Sequence, residues 1–441
     1  MALDFKHASL IDGVRFTAQI GVPSVVLGLF AKRELPTRLS SAFYADQLGY
    51  LLVEGLVRRL GPDPFWIRVA KDEALLVHHP DDLKLVLEGS PEPFASDPDT
   101  KRKGMAAFQP HALTISRGDL WANRRRFAEA VLDIEAPLHR LAPRFLAVAR
   151  EEAGGLVGAP VRWSDLHAAF QRLTRRVVFG DAAAGDTSLT RQLGELMSAG
   201  NRMPGKPAAG YDSFIARVGR YVDAAEDGSL CALVADAPSD AATDPAGQLV
   251  HWLFAMGDTL PANLLRTLAL LATHPDDLAA VRSALDGEDL ERPETIAGQH
   301  YLAGCIQEAM RLWPTTQLFG RVATEDVRFP TGAVLPSGRQ VLIYNVFNHR
   351  NRDRIPYADR FAPEEWLTGG AADDWSFNFF SHGPQGCPGA GLAIFLGQAV
   401  LAQLVNGYDL ELTGARLDPE RRLPYSLDIY AIGIRCTPRV E

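Results

Sequence analysis

Cys387 lies in Phe379-Phe380-Ser381-His382-Gly383-Pro384-Gln385-Gly386-Cys387-Pro388-Gly389, a glycine-rich turn that leads straight into a long apolar helical stretch. A sulfur just ahead of a helix faces backbone N–H groups with no intrahelical partner and the positive end of the helix dipole, and both favour thiolate over thiol. Pro388 suits a first helical position, where its missing N–H is not wanted. Gly383, Gly386 and Gly389 allow backbone N–H groups to approach the sulfur, and such hydrogen bonds tune a metal that a thiolate ligates. A lone cysteine in this setting also fits an inert buried thiol, so the spacing of its neighbours has to decide. Three other pairs could do chemistry. Asp258-Thr259 sits in an apolar helical stretch, where an unpaired carboxylate is costly. Trp121 and Arg125 lie four apart on one helical face, although Arg124-Arg125-Arg126 also fits a solvated basic surface. Glu308 and Arg311 lie three apart, a spacing that usually gives a surface ion pair of little worth.

The spacing Phe380, Gly383, Cys387, Gly389 resembles the F-x-x-G-x-x-x-C-x-G haem-binding signature of the cytochrome P-450 superfamily, of the soluble bacterial type. The resemblance continues in Ala255-Met256-Gly257-Asp258-Thr259, in the E-x-x-R pair Glu308 and Arg311, and in Trp121 and Arg125 after a long loop. It implies that Cys387 is the axial ligand of one haem b, framed by Phe380, Gly383 and Gly389. It further implies that Trp121, Arg125 and Arg321 donate to the haem propionates, where a planar guanidinium suits a carboxylate. Asp258 and Thr259 become the catalytic pair, the acid relaying protons and the alcohol hydrogen-bonding dioxygen at the haem. Glu308 and Arg311 become a structural pair that locks the core. Four positions depart from the pattern. Gln385 replaces a basic propionate partner, Met256 a glycine, and Glu365 an arginine that joins the Glu308/Arg311 network, for which Arg360 is a substitute; Pro261 follows the acid-alcohol pair. Pro261 cannot donate to the carbonyl of Gly257, so the helix should kink or open there. That would leave the carbonyls of Gly257 and, through Thr259, Ala255 free to hold an ordered water.

These residues need elements to position them. Residues 46–60 read as an amphipathic helix, 65–69 and 73–78 as a hairpin, and 81–88 as a short helix. Residues 94–111 lack periodicity and read as a long loop. Helices are expected over 119–132, within 142–196 (including 163–179), over 248–273 and over 303–312, with a strand-rich region from Arg321 to Asn345. Residues 199–210 read as a flexible loop. The fold class expected is mainly α with a minor β region, residues 46–441 forming one haem-thiolate domain and residues 1–45 an extension packed on it.

With 441 residues, 47% hydrophobic and 22% charged, the chain can bury a large core; a net charge of −9 and a pI near 5.7 argue against nucleic acid. Four scattered cysteines make neither a disulfide framework nor a C-x-x-C zinc site. The N-terminus lacks a secretory pattern, and residues 20–30 contain Pro23 and are too short to span a bilayer. A soluble, cytoplasmic protein with no membrane span is therefore expected. The resemblance implies a monooxygenase acting on a small organic molecule, with electrons from a separate ferredoxin-type donor that docks where Arg124 or Arg126 faces outward. A peroxide-dependent or rearranging haem-thiolate enzyme, and more remotely a non-catalytic haem sensor, are the alternatives.

Overall fold

The computed structural model describes residues 4–158 and 160–439. Its core is a bundle of long helices. Ala142–Gly154, Trp163–Phe179, His300–Leu312 and Ala390–Gly407 pack around a central helical rod, residues 245–271. Each places a stripe of apolar side chains inward: Phe145, Phe170, Leu173, Leu264, Leu268, Ile306, Leu396 and Val400 are all buried. At about 1.5–3 kcal/mol for each large side chain removed from water, this core is the main source of stability. Gly397 marks a close approach, since a Cβ there would lie 3.0 Å from Leu264 and 3.1 Å from Ile306.

A six-stranded sheet stands beside the bundle. Its order is Lys6–His7, Phe65–Val69, Asp72–Val77, Gln340–Tyr344, Leu318–Ala323, Phe94–Ala95. The expected hairpin forms with Phe65 opposite Leu76, and Ala74 then pairs in parallel with Gln340. Leu318–Ala323 runs antiparallel to Gln340–Tyr344 with Arg321 opposite Val341, which fixes where the Arg321 side chain leaves the sheet.

Most expected helices form within a few residues of the expected ends. Residues 94–111 are a correction. They contain the strand Phe94–Ala95 and a helix Asp99–Met105, whose sequence Asp-Thr-Lys-Arg-Lys-Gly-Met has too few apolar residues to show a period. The cysteine helix is another correction. It begins at Ala390 with Gly389 as its N-terminal flank, so Pro388 precedes the helix rather than opening it.

The N-terminus also differs from expectation. Leu10–Phe16, Thr17–Gly21 and Val22–Leu27 join into one rod, Leu10–Leu27, whose 18 residues have a mean hydropathy of 1.3 and are long and apolar enough to cross a membrane. Pro23 does not break it, because the segment before it opens into a π-helical turn. One side of the rod is anchored: Phe16 and Ile20 are buried with Tyr50 and Val53, and Asp12 pairs with Arg59 at 2.5 Å. Its other side leaves Leu10, Ile11 and Val14 exposed.

Candidate functional site

The cysteine turn is built by local hydrogen bonds. Cys387 N–H donates to Phe380 O at 2.7 Å and Gly386 N–H to Gly383 O at 2.9 Å, closing a loop with the sulfur at its tip. Gly383 has φ +65°, and a Cβ there would meet Leu87 O at 2.5 Å, so only glycine fits. Cys387 is exposed, yet burial is the largest influence on its thiol and pushes its pKa up, opposed by the Gly389 N–H and the charge of Arg125. The thiol is thus accessible although protein groups crowd it. Among the described residues no three His, Cys, Asp or Glu side chains gather as a metal site.

One cation stands at the turn and two others stand together, on the strand Leu318–Ala323 and the helix Asp99–Met105. Arg125 reaches the turn, its Nη1 donating to Gly386 O at 2.5 Å and its Nε to Glu129 at 2.6 Å. Trp121, one turn earlier on Gly118–Val131, has an indole N–H with no acceptor among the described residues. Arg321 is buried, donates from Nε to Ser90 Oγ at 3.1 Å, and has its pKa lowered by burial to about 10. Lys101 was not singled out from sequence. Its Nζ donates to Ser96 O at 3.0 Å and Thr114 O at 2.8 Å, and burial followed by the charge of Arg321 brings its pKa down to about 7. Asp97 is the acid near Lys101, but it is engaged by Arg102 at 3.1 Å and Arg117 at 2.7 Å. Gln385 has both amide atoms buried with no hydrogen-bond partner. Neighbouring buried cations and an orphaned amide describe a place for an anion that the protein itself does not supply.

The central rod opens where Pro261 predicts. Ala255–Thr259 is a π-helical turn between Pro245–Phe254 and Leu260–Leu271, and Leu260 N–H donates to Ala255 O. The freed Gly257 carbonyl is not left for water: Gln171 Nε2 donates to it at 3.2 Å. Asp258 accepts from the same amide at 3.1 Å and pairs with His167 Nε2 at 2.7 Å. His167 and Gln171 are four apart on Trp163–Phe179, a spacing that could have flagged them as one face. Thr259 is half-buried, and its hydroxyl has no partner among the described residues, so the expected bond to Ala255 O does not form.

Behind the cysteine turn, Glu308 and Arg311 are fully buried and joined by two bonds of 2.7 and 2.6 Å. Arg360 does not complete this network through its guanidinium; it offers only its carbonyl, to Arg311 Nη2 at 3.0 Å. The third partner of Glu308 is the Trp366 indole N–H at 2.9 Å, with the Ala362 N–H at 3.1 Å. Arg124 is a further correction. It is buried, donating to Ser116 Oγ at 2.7 Å and Ala242 O at 3.2 Å, while Arg126 is exposed.

The cytochrome P450 family model matches residues 243–427. Among known proteins, cytochrome P450 4c3 of Drosophila melanogaster is 33% identical over 175 residues, covering 38% of this chain and 32% of the relative. Cytochrome P450 3A16 of Mus musculus is 27% identical over 171 residues (37% and 34%), and cytochrome P450 monooxygenase AMT3 of Alternaria alternata 30% over 149 (32% and 30%). The chain thus matches about a third of the length of these relatives. Residues 243–427 are thus similar to the cytochrome P450 family, and a mainly helical fold with a minor sheet is the fold of that superfamily. Proteins of that family hold haem b. The accessible interior thiol, the unneutralised Lys101 and Arg321, and the orphaned Gln385 amide fit an iron-bound porphyrin with two carboxylates. The relatives matched are insect, mouse and fungal proteins, so the bacterial type is not carried by them.

Proposed function

We propose that this chain is a haem-thiolate monooxygenase whose catalytic domain is residues 46–441, with residues 1–45 packed on it. The observation that carries the reading is the accessible Cys387 thiol at its glycine turn, with the Arg125 guanidinium against the turn at Gly386. Cys387 would ligate the iron, with Phe380, Gly383 and Gly389 shaping its turn. Arg125, Trp121, Arg321 and Lys101 would hold the propionates. When bound, haem supplies the reductive activation of dioxygen, one atom entering the substrate and the other leaving as water with two electrons and two protons.

The chain's own part is to deliver those protons and exclude others. His167 is partly open to solvent and bonded to Asp258 Oδ1, so a proton taken up at His167 can pass to the carboxylate beside Thr259. The Thr259 hydroxyl is free to hand the proton on. Electrons are supplied by a separate ferredoxin-type donor, a reading supported by Arg126, exposed on the helix that carries Arg125.

Reduced protein with carbon monoxide should show the red-shifted Soret band of thiolate ligation. Cys387→Ser should lose that band and Cys305→Ser keep it; the reverse pattern would end this assignment. We further infer a soluble cytoplasmic protein, because the rod Leu10–Leu27 is tied to the body by Phe16, Ile20 and the Asp12–Arg59 pair. Protein that sediments with membranes and resists carbonate extraction would show a span instead.

A further inference from the structure

The central rod keeps one of its faces unpacked. From His251 to Thr259, Trp252, Leu253, Met256 and Gly257 are buried, while His251, Phe254, Ala255, Asp258 and Thr259 stay partly open. Positions i, i+3, i+4, i+7 and i+8 share one side of a helix, so a single stripe leads from the His251 imidazole to Thr259. At 1.5 Å per residue its ends are about 12 Å apart. Between them lie the apolar side chains of Phe254 and Ala255, and Asp258, which is already bonded to His167 and Gln171. His251 is therefore the one polar side chain on the stripe that the proton path leaves unused.

The imidazole of His251 is held in one tautomer. Its Nδ1 lies 3.1 Å from Gln109 Oε1, and Gln109 Nε2 donates to Gly247 O at 3.0 Å. A backbone carbonyl can only accept, so the amide nitrogen of Gln109 must face Gly247 and its oxygen must face His251. That oxygen in turn requires a hydrogen on Nδ1, which leaves a lone pair on Nε2. Gln109 is 1% exposed, and the segment after it is tied to the start of the rod. Gln248 Nε2 donates to His111 O at 2.8 Å, and Gln248 Oε1 accepts from Leu113 N–H at 3.0 Å. Burial, followed by the charge of Lys101, brings the pKa of His251 down to about 4, so the ring is uncharged at neutral pH.

The lone pair on Nε2 has no donor among the described residues. Lys101, whose charge the ring feels, donates instead to Ser96 O and Thr114 O. With Nδ1 tied to Gln109, Nε2 on the far side of the ring points away from that residue. Packing fixes the ring as well: its centroid lies 4.6 Å from that of Phe254, and Phe254 lies 5.7 Å from Phe108, both edge to face. A rigid acceptor among aromatic rings is short of one hydrogen bond. A ligand that brings the missing hydrogen gains what a ligand of the same shape without it cannot.

We propose that His251 is a specificity-determining residue whose Nε2 accepts a hydrogen bond from an uncharged hydroxyl or N–H group of the substrate, an otherwise apolar molecule carrying that donor at the end away from Thr259. Gln109 is the positioning residue that fixes the acceptor. The proposal rests on the monooxygenase reading only for which end of the substrate is oxidised; the contact itself is a matter of binding. It selects against other head groups. A carboxylate presents oxygen lone pairs to a lone pair and is repelled, and an ether has no hydrogen to give.

The test is an equilibrium titration of the haem-loaded protein with 1-decanol, 4-phenylphenol and cyclododecanol, the methyl ether of each, and decanoic acid, followed by calorimetry and by the haem spin-state change. In the pair that binds most tightly, the hydroxyl compound should bind about tenfold better than its ether. Decanoate should bind more weakly than decanol. His251→Phe, which keeps a ring against Phe254, should bring the hydroxyl compound down to the affinity of the ether, leave the ether unchanged and keep the carbon monoxide band. Gln109→Leu should narrow the preference without weakening the ether, which a general loosening of the fold would not do. Equal affinity within every pair, no binding of any compound, decanoate binding better than decanol, or a preference that survives His251→Phe would overturn the proposal. So would a ligand-free ferric spectrum that changes from low to high spin in His251→Phe, since the imidazole would then be taken by the iron. His251→Leu decides the matter if His251→Phe fails to fold. The two readings fail separately: an absent carbon monoxide band with the calorimetric preference intact removes the haem-thiolate assignment alone, and an intact band without the preference removes the His251 contact alone.

Discussion

A buried lysine without an acid of its own is a burden on a fold, and Lys101 is retained beside Arg321, a second buried cation. The pair explains how the cysteine turn can dispense with a basic residue at Gln385: the positive charge has moved to Asp99–Met105. Lys101→Met should speed haem transfer to an acceptor apoprotein about tenfold, as expected for the loss of one hydrogen bond to a charged group. The sign of the pH effect follows from linkage. The pKa of Lys101 is lowered to about 7 without an anion and would be raised by a propionate, so haem uptake draws in a proton above pH 7. Haem affinity should therefore fall as pH rises above about 7, and Lys101→Met should flatten that slope. A variant that retains both the affinity and the slope would show that Lys101 does not meet the haem. At this scale the sequence was uneven. Fixed spacings singled out Cys387, Arg125, Glu308 and Arg311, and the fold buries the Glu308–Arg311 pair and sets Arg125 against the cysteine turn. Lys101, His167 and Trp366 were not legible, since each reaches its partner only through the fold, and a lysine in a polar stretch reads as solvated.

Among the elements, the central rod carries the clearest local cause. A proline four residues after Gly257 removes one donor and crowds that carbonyl, and the rod answers with a π-helical turn over Ala255–Thr259. The opening was legible because it depends on a backbone N–H that proline lacks. What fills it was not legible, because Gln171 comes from another helix and satisfies both the Gly257 carbonyl and Asp258. The expectation of an ordered water on Gly257 therefore gives way to a side-chain clamp. Thr259→Ala should uncouple electron consumption from product and release peroxide, measured as peroxide formed per reductant oxidised. Pro261→Ala should let the Gly257 carbonyl return to an α-helical bond, loosen the Gln171 clamp and slow proton delivery, seen as a larger solvent isotope effect on turnover. If hydrogen peroxide alone supports better turnover than the full electron-transfer chain, and Thr259→Ala changes neither coupling nor rate, the peroxide-dependent alternative replaces the monooxygenase.

Considered whole, the molecule has a net charge of −9, and on the proposed reading it receives electrons from a partner. An acidic ferredoxin approaching such a body is repelled on average, so docking needs a local positive face near the cysteine turn. The sequence offered Arg124 and Arg126 for that face, and the fold removes one of them: Arg124 is turned inward onto Ser116 and Ala242. Three consecutive arginines on a helix point in three directions, about 100° apart, and which of them faces water depends on the neighbours that pack on the helix. Arg126 remains as the exposed cation beside Arg125, which itself contacts the turn at Gly386. A single exposed charge steers weakly and is screened over about 8–10 Å at ordinary ionic strength. Arg126→Glu should accordingly slow reduction by an acidic ferredoxin several-fold at low salt, and the difference should shrink as salt is added. Arg124→Gln should instead act on stability, leaving the salt dependence of reduction as it was. Stopped-flow reduction under carbon monoxide reads both. Rates that respond neither to salt nor to Arg126→Glu would place the electron donor on another face of the molecule.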